Sequence, residues 1–212
     1  MKKTICSVGW LKGLLLTSVL LGASPAWALD IIPTDPSRYC IDTNGYLIPV
    51  HITPDCESAE EPIVTGAIRD AFIDGVWHGH FVPNHAGTFS ICAWSECEQV
   101  AKGVTITVVE VAGTTVVGGT EIDDEDDDPN TATYVLDCES VEDAQVVVYG
   151  ISNPSLSESA LPTCWSATGG GGGASRSYRT VNALQTGTTT ITFTAGTSHK
   201  SVTVIVSSPC GD

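Results

Sequence analysis

Between Gly187 and Val206 the chain alternates with a period of two, and this alternation limits the fold more than any other feature. Ile191, Phe193 and Ala195 share one parity, while Thr190, Thr192 and Thr194 share the other. Successive side chains of a strand point to opposite faces, so the first set packs inward and the threonines meet water. Val202, Val204 and Val206 supply the matching face of a following strand. No long segment places apolar residues at the three- and four-residue spacing of an amphipathic helix; the remaining signals are short β-branched runs and glycine-containing turns. The chain reads as all-β.

Turn chemistry places the other strands. Asn44-Gly45, between Tyr39-Cys40-Ile41 and Tyr46-Leu47-Ile48, predicts a hairpin because both turn positions favour positive φ. Asp74-Gly75 predicts a second. Strands over 87–93 and 104–111 follow and should pair. Further strands are expected over 133–137, 145–151, 161–167, 178–184, 188–195 and 200–207. Residues 169–173 are five glycines in a row. The strand-like residues 177–181 follow them, so the run reads as a flexible loop and not as a phosphate cradle, which needs a helix N-terminus.

The N-terminus carries the marks of a cleaved signal peptide. Lys2 and Lys3 precede a short apolar stretch over 14–21, and Ala26-Trp27-Ala28 has the small-residue pattern of a cleavage site. The stretch is shorter than the roughly 20 residues of a membrane span, so no span is expected in the mature chain. Removing residues 1–28 from 212 leaves 184 residues, and Lys2, Lys3 and Lys12 leave with the signal. Six basic residues then face 25 acidic ones, a net charge of −19 against −16 for the whole chain. Such a surface repels nucleic acid and anionic lipid and favours cations or basic partners.

Seven acids fall within residues 121–128, with Pro129 directly after them. Mutual repulsion and the proline argue against sheet here. This divides the chain into a signal peptide at 1–28, a first β-sandwich domain at 29–117, an acidic linker at 118–130 and a second domain at 131–212.

The segment from Gly187 to Gly196, followed by Lys200-Ser201-Val202-Thr203-Val204-Ile205-Val206, resembles bacterial immunoglobulin-like domains of the invasin and intimin type. Leu161-Pro162-Thr163-Cys164-Trp165-Ser166 is similar to the central tryptophan strand of that family. A weaker likeness joins His85-Ala86-Gly87-Thr88-Phe89-Ser90-Ile91 with Val104-Thr105-Ile106-Thr107-Val108. The resemblance implies two immunoglobulin-like antiparallel β-sandwich domains, with Trp165 as the large central core residue and a role in spacing or adhesion. Its indole needs one hydrogen-bond partner.

Export makes disulfides the default reading of the cysteines. Cys6 leaves with the signal, and seven remain, so one thiol is left over or pairs between chains. Cys92 is out of phase with Phe89 and Ile91, faces away from the core, and lies close to Cys97. A Cys92–Cys97 bridge, a Cys40–Cys56 loop, and a Cys138–Cys210 bond should strands 133–137 and 200–207 run parallel, leave Cys164 free. Four cysteines alone allow three connectivities, so other pairings stay open.

Two constellations could hold cations. His78-Gly79-His80 puts both imidazoles on one strand face, with His85, Cys92, Glu96 and Cys97 nearby, a donor set suited to zinc or copper. The ordinary alternative is a solvated face, and oxidised cysteines do not ligate. A cupredoxin-like copper site is excluded, because no histidine follows Cys92 until His199 and Met1 is the only methionine. Asp123, Asp124, Asp126, Asp127 and Asp128 offer oxygens for calcium but lack the spacing and turn glycine of a dedicated loop. Enzyme signatures, including the nucleophile elbow, His-Glu-x-x-His and Cys-x-x-Cys, are missing.

The expectation is an exported, secreted, non-catalytic binding or structural module of the cell surface or extracellular space. Trp94, on the Cys92 side of its strand, is a candidate surface contact. The alternative is a periplasmic or extracellular metal-binding protein using His78, His80 and His85.

Overall fold

The computed structural model describes residues 29–32, 38–51, 61–122, 128–136, 145–153, 155–171 and 175–208. The expected signal peptide, Cys56, Cys138, Cys210 and Asp123, Asp124, Asp126 and Asp127 lie outside them. In chain order the strands are β1 (Asp30–Ile31), β2 (Arg38–Cys40), β3 (Tyr46–Leu47), β4 (Val50–His51), β5 (Ile63–Thr65), β6 (Ile68–Ile73), β7 (Val76–Phe81), β8 (Gly87–Ser95) and β9 (Val100–Val109). They continue with β10 (Val111–Val116), β11 (Gly119–Ile122), β12 (Thr131–Leu136), β13 (Gln145–Ser152), β14 (Trp165–Thr168), β15 (Tyr178–Asn182), β16 (Gly187–Ala195) and β17 (Ser198–Val206). Among the described residues the one helical piece is a 3₁₀ turn at Glu158–Ala160. No helix there is long and apolar enough to cross a membrane.

The chain forms two compact units. The first takes residues 29–32, Gly45–Val82 and Thr88–Ile106; the second takes Arg38–Asn44, Pro83–Gly87 and the described residues from Thr107 onward. In the first unit, one sheet has the order β1-β4-β7-β3, with β6 also paired to β7, and the other contains β9-β8-β5. Ile48, Val50, Trp77 and Phe81 of the former and Ile91, Ala93 and Ile106 of the latter are buried. Phe81 meets Phe89 edge-on, with ring centroids 5.1 Å apart. The Asp74-Gly75 hairpin forms as expected: both residues have positive φ, 51° and 75°, and Ile73 faces Val76.

The second unit packs a three-stranded sheet, β10-β13-β15, against a five-stranded one, β11-β12-β17-β16-β14. Its core joins Val111, Val116, Val146, Val148 and Val181 of the first sheet to Leu136, Trp165, Ile191, Phe193, Val202 and Val204 of the second. The expected parity holds, since Ile191, Phe193, Ala195, Val202 and Val204 are fully buried. On the opposite face Thr190 meets Thr203 and Thr192 meets Ser201 through hydroxyl contacts of 3.2 and 2.8 Å. β12 runs parallel to β17, from Thr131 beside Ser201 to Leu136 beside Val206.

Four expectations require correction. Asn44-Gly45 is a turn, but β2 and β3 do not pair: β2 lies parallel to Thr107–Val109 of β9, whereas β3 pairs with β7. The turn thus carries the chain from one sheet to another. The acidic segment does not form a linker from residue 118, because Glu121 and Ile122 belong to β11 and pair with Tyr134 and Thr133. β10 and β11 both join the second unit, which begins before the expected boundary. β11 is the edge strand of its sheet and Glu121 is exposed there, so an acidic residue does not exclude a strand at this position. The expected strand over 161–167 is confined to β14, and Leu161 to Cys164 form the turn that leads into it.

Cys164 is not free. It is bonded to Cys40, with Cα atoms 6.2 Å apart and 124 residues between them in sequence. This overturns the Cys40–Cys56 pairing and the assembly of chains through Cys164. The cause is the path of β2: the Ile41 carbonyl accepts from Thr197 N at 2.8 Å, and Ile41 bridges Gly196. Cys40 is thereby carried to the end of β14 and β16 where Cys164 lies. Gly196, at φ 64°, is required there, since a Cβ would come within 2.1 Å of the Ile41 oxygen. Cys92 and Cys97 are also in disulfides, and among the described residues no cysteine is free.

Candidate functional site

β7 lies inside its sheet, with β3 and β4 along one side and β6 along the other. Its alternation buries Trp77 and Phe81 and turns Val76, His78 and His80 outward. Gly79 keeps the inner face open for the Trp77 ring, which a Cβ would meet at 2.1 Å. On the outer face Leu47 and Ile68 flank His80, and His51 and Ile73 flank Val76. Leu47, Ile68 and Ile73 are 65%, 55% and 56% exposed. Isolated exposed apolar residues are common, but Leu47 and Ile68 on either side of His80, with Ile73 further along the same face, mark a surface suited to contact.

A β-bulge shapes this face. The register of β6 against β7 slips between Arg69 and Ala71, leaving Asp70 as the extra residue. Its carboxylate oxygens lie 2.8 and 3.0 Å from His80 Nδ1. On the same strand Arg69 Nε donates to Glu61 at 2.5 Å, and this bond together with the Glu61 charge raises the guanidinium pKa further. Across the sheet His80 faces the aliphatic Leu47 and Ile68.

The expected metal ligands do not converge. His78 is exposed, His80 is engaged by Asp70, and His85 Nδ1 contacts Asn84 Oδ1 at 2.6 Å. Among the described residues no three histidine, cysteine, aspartate or glutamate side chains gather as a metal site. Cys92 and Cys97, being oxidised, are unavailable as thiolates. Of the calcium candidates, Asp128 is described and serves a turn: Asn130 N donates to its Oδ1 at 2.9 Å, and Thr131 N to its carbonyl at 3.0 Å.

Trp94 sits on the Cys92 side of β8, half-buried beside Ile63 of β5, the last strand of that sheet. Ile63 is 63% exposed, so the pair forms a smaller apolar patch. In the second unit a polar cleft of about 310 Å³ is lined by Glu121, Tyr134 and Lys200 among others. Tyr134 donates to Glu121 at 3.0 Å; burial first, and then that bond and charge, raise its pKa. Within the glycine run, Gly171 is fixed, as its N–H donates to the Thr180 carbonyl at 2.8 Å and its oxygen accepts from Thr180 Oγ1 at 2.5 Å.

Sequence reasoning missed the Asp70–His80 contact and the exposure of Leu47, Ile68 and Ile73. The alternation of β7 marked which histidines face outward, but the bulge that brings Asp70 over has no local sequence signature.

No protein-family model matches the chain, and no curated protein matches it. Among solved structures it is similar to the C-terminal 282-residue fragment of intimin in complex with the intimin-binding domain of the translocated intimin receptor. That match has 11% identity and a TM-score of 0.42, and covers 86% of this chain and 64% of that one. It is also similar to extracellular domains 3–5 of Drosophila OTK, at 16% identity and a TM-score of 0.27, over 84% of this chain and 61% of that one. Titin domains Z1Z2 in complex with telethonin match at 12% identity and a TM-score of 0.25, over 86% and 98%. The chain thus spans just under two thirds of the intimin fragment. The two β-sandwiches are defined by the sheets themselves.

Proposed function

We propose that this chain is an exported, non-catalytic binding or structural module acting at the cell surface or outside the cell, with adhesion as its specific role. The observation that carries the reading is the outer face of β3, β7 and β6, where Leu47 and Ile68 flank His80 of the His80–Asp70 pair and Ile73 stands further along beside Val76. A rigid sheet that presents aliphatic side chains around one polar pair suits a protein ligand, since apolar area supplies affinity and the polar pair fixes register. Disulfides persist in oxidising compartments, which supports export, as does the signal-like N-terminus.

Ile68→Lys combined with Ile73→Lys tests the reading, because both side chains are exposed and neither belongs to the core. The double variant is expected to melt at the wild-type temperature while beads coated with it lose attachment to the surface of the producing cells. Attachment indifferent to both charges sets this face aside, and beads coated with unaltered protein that do not attach set adhesion aside.

A further inference from the structure

At one end of the second unit the sandwich core stops short. The inward parity of β16 runs back from Ala195 through Phe193 to Ile191, all fully buried, and then changes to Thr189 and Gly187. Across the ladder Thr189 faces Val204 and Gly187 faces Val206. A hydroxyl and a missing side chain thus stand where two more apolar residues would close the core. The result is a cleft of about 310 Å³ shared by β15, β16, β17 and the glycine run, within the range of about 300–1,000 Å³ typical of small-ligand sites.

No charged side chain lines this cleft, in a chain whose net charge is −16. Asn182, Gln185, Thr186, Thr188 and Thr189 supply its polar groups, while Val181 and Val206, each 3% exposed, supply apolar surface. Hydroxyl and amide side chains both donate and accept hydrogen bonds, whereas a carboxylate only accepts and an ammonium only donates. Every hydroxyl of a sugar also does both, and the C–H groups of its ring pack on apolar surface. An ionic ligand would lose hydration here without meeting a counter-charge. The other cleft of this unit differs, because Glu121 and Lys200 line it.

Two parts of the wall are fixed before any ligand arrives. The backbone of Gly171 is pinned to Thr180, through its N–H to the Thr180 carbonyl at 2.8 Å and its oxygen to Thr180 Oγ1 at 2.5 Å. Asn182 Oδ1 accepts from Leu184 N at 2.9 Å, which orients the amide and leaves its N–H groups to donate elsewhere. A wall already in place lowers the ordering cost of binding.

We propose that this cleft binds a neutral oligosaccharide, with the amide and hydroxyl side chains on its hydroxyl groups and Val181 and Val206 beneath its ring. The site belongs to the second unit alone and goes beyond the contact face on β7, so each can stand or fall without the other.

The experiment is isothermal titration calorimetry of the full exported chain with maltotetraose, cellotetraose and N-acetylated chitotetraose, against the acidic tetragalacturonate. At least one neutral tetrasaccharide is expected to bind, and tetragalacturonate is not. Thr189→Val keeps the shape of the side chain and removes its hydroxyl, so the dissociation constant should rise about 2–10-fold. A Cβ at Gly171 would meet nothing within 4 Å. Gly171→Trp should therefore occupy the cleft and abolish binding without lowering the melting temperature, and Thr189→Val decides the matter if this variant does not fold. The proposal is overturned if none of the three neutral sugars binds at millimolar concentration, if tetragalacturonate binds as tightly as they do, or if Thr189→Val binds as tightly as the wild type.

Discussion

The Trp165 indole N–H donates to the Arg176 carbonyl at 2.6 Å, and this single bond ties the centre of the second unit's core to a loop. Trp165 is 1% exposed, and its only polar atom is thus satisfied where the ring meets the surface. The Arg176 guanidinium in turn donates to the Leu161, Pro162 and Glu158 carbonyls at 3.0, 2.8 and 3.0 Å. Glu158 closes the arrangement by accepting from Arg176 N at 2.8 Å, Ser177 N at 3.0 Å and Ser175 Oγ at 3.1 Å. The turn that carries Cys164 is fixed from both sides.

Glu158 gives this clamp a pH dependence. Partial burial works to raise its pKa, but the hydrogen bonds from Ser177, Arg176 and Ser175 outweigh it and hold the carboxyl below its ordinary value. A group whose folded pKa is depressed contributes stability above its unfolded pKa, about 4.3 for glutamate, and loses it as pH falls through the folded value. The wild-type melting temperature should therefore fall as the pH is lowered below about 4. Glu158→Gln should be less stable at neutral pH and flatter in that acid range. Parallel melting curves for the two proteins from neutral pH to acid would remove Glu158 from the account.

Gly150 faces the core in β13, where a Cβ would lie 2.5 Å from Phe193 Cδ1. Gly150→Ala should overpack the sandwich and cost about 1–3 kcal/mol in denaturant unfolding. Combining it with Phe193→Leu should recover part of that loss, as expected when the damage is steric and shared between the two sites.

The Asp74-Gly75 turn needs positive φ at both positions. Gly75→Ala should lower stability by about 1 kcal/mol, whereas Asp74→Asn should be near neutral, since asparagine tolerates the left-handed region. Equal effects of both substitutions would show that the turn backbone is not the determinant.

β12 and β17 run parallel and end in register at Leu136 and Val206. Cys138 follows two residues after the first and Cys210 four residues after the second. The expected product is a Cys138–Cys210 disulfide, seen as a linked peptide pair in non-reducing mass spectrometry of the exported protein. Recovery of either cysteine as an alkylated thiol would contradict it.

Much of the second unit is legible in the sequence because its strands are long and half-buried. Thr188 to Ala195 and Val202 to Val206 state their burial by parity alone, and Trp165 states the centre. The first unit is harder to read, because β1, β3 and β4 are only two residues long and carry too little alternation to register. Asn44-Gly45 was misleading for a physical reason: a tight turn reports a change of direction and not which sheet accepts the next strand. The cysteine pairing was equally hidden, since Cys40 reaches Cys164 through a parallel strand association that no local spacing encodes. The contact face depends on exposure, and Leu47, Ile68 and Ile73 read from sequence as ordinary core residues.

The placement of β2 has a consequence for biogenesis. A chain exported N-terminus first delivers Cys40 long before Cys164, and Cys56 arrives in the interval. Oxidation in order of emergence would join Cys40 to Cys56, a pairing that the finished molecule does not contain. In a chain exported in this way the Cys40–Cys164 bond forms only after residue 164 of 212 has crossed, which would call for a thiol held in reserve or for a catalyst that reshuffles an early mistake.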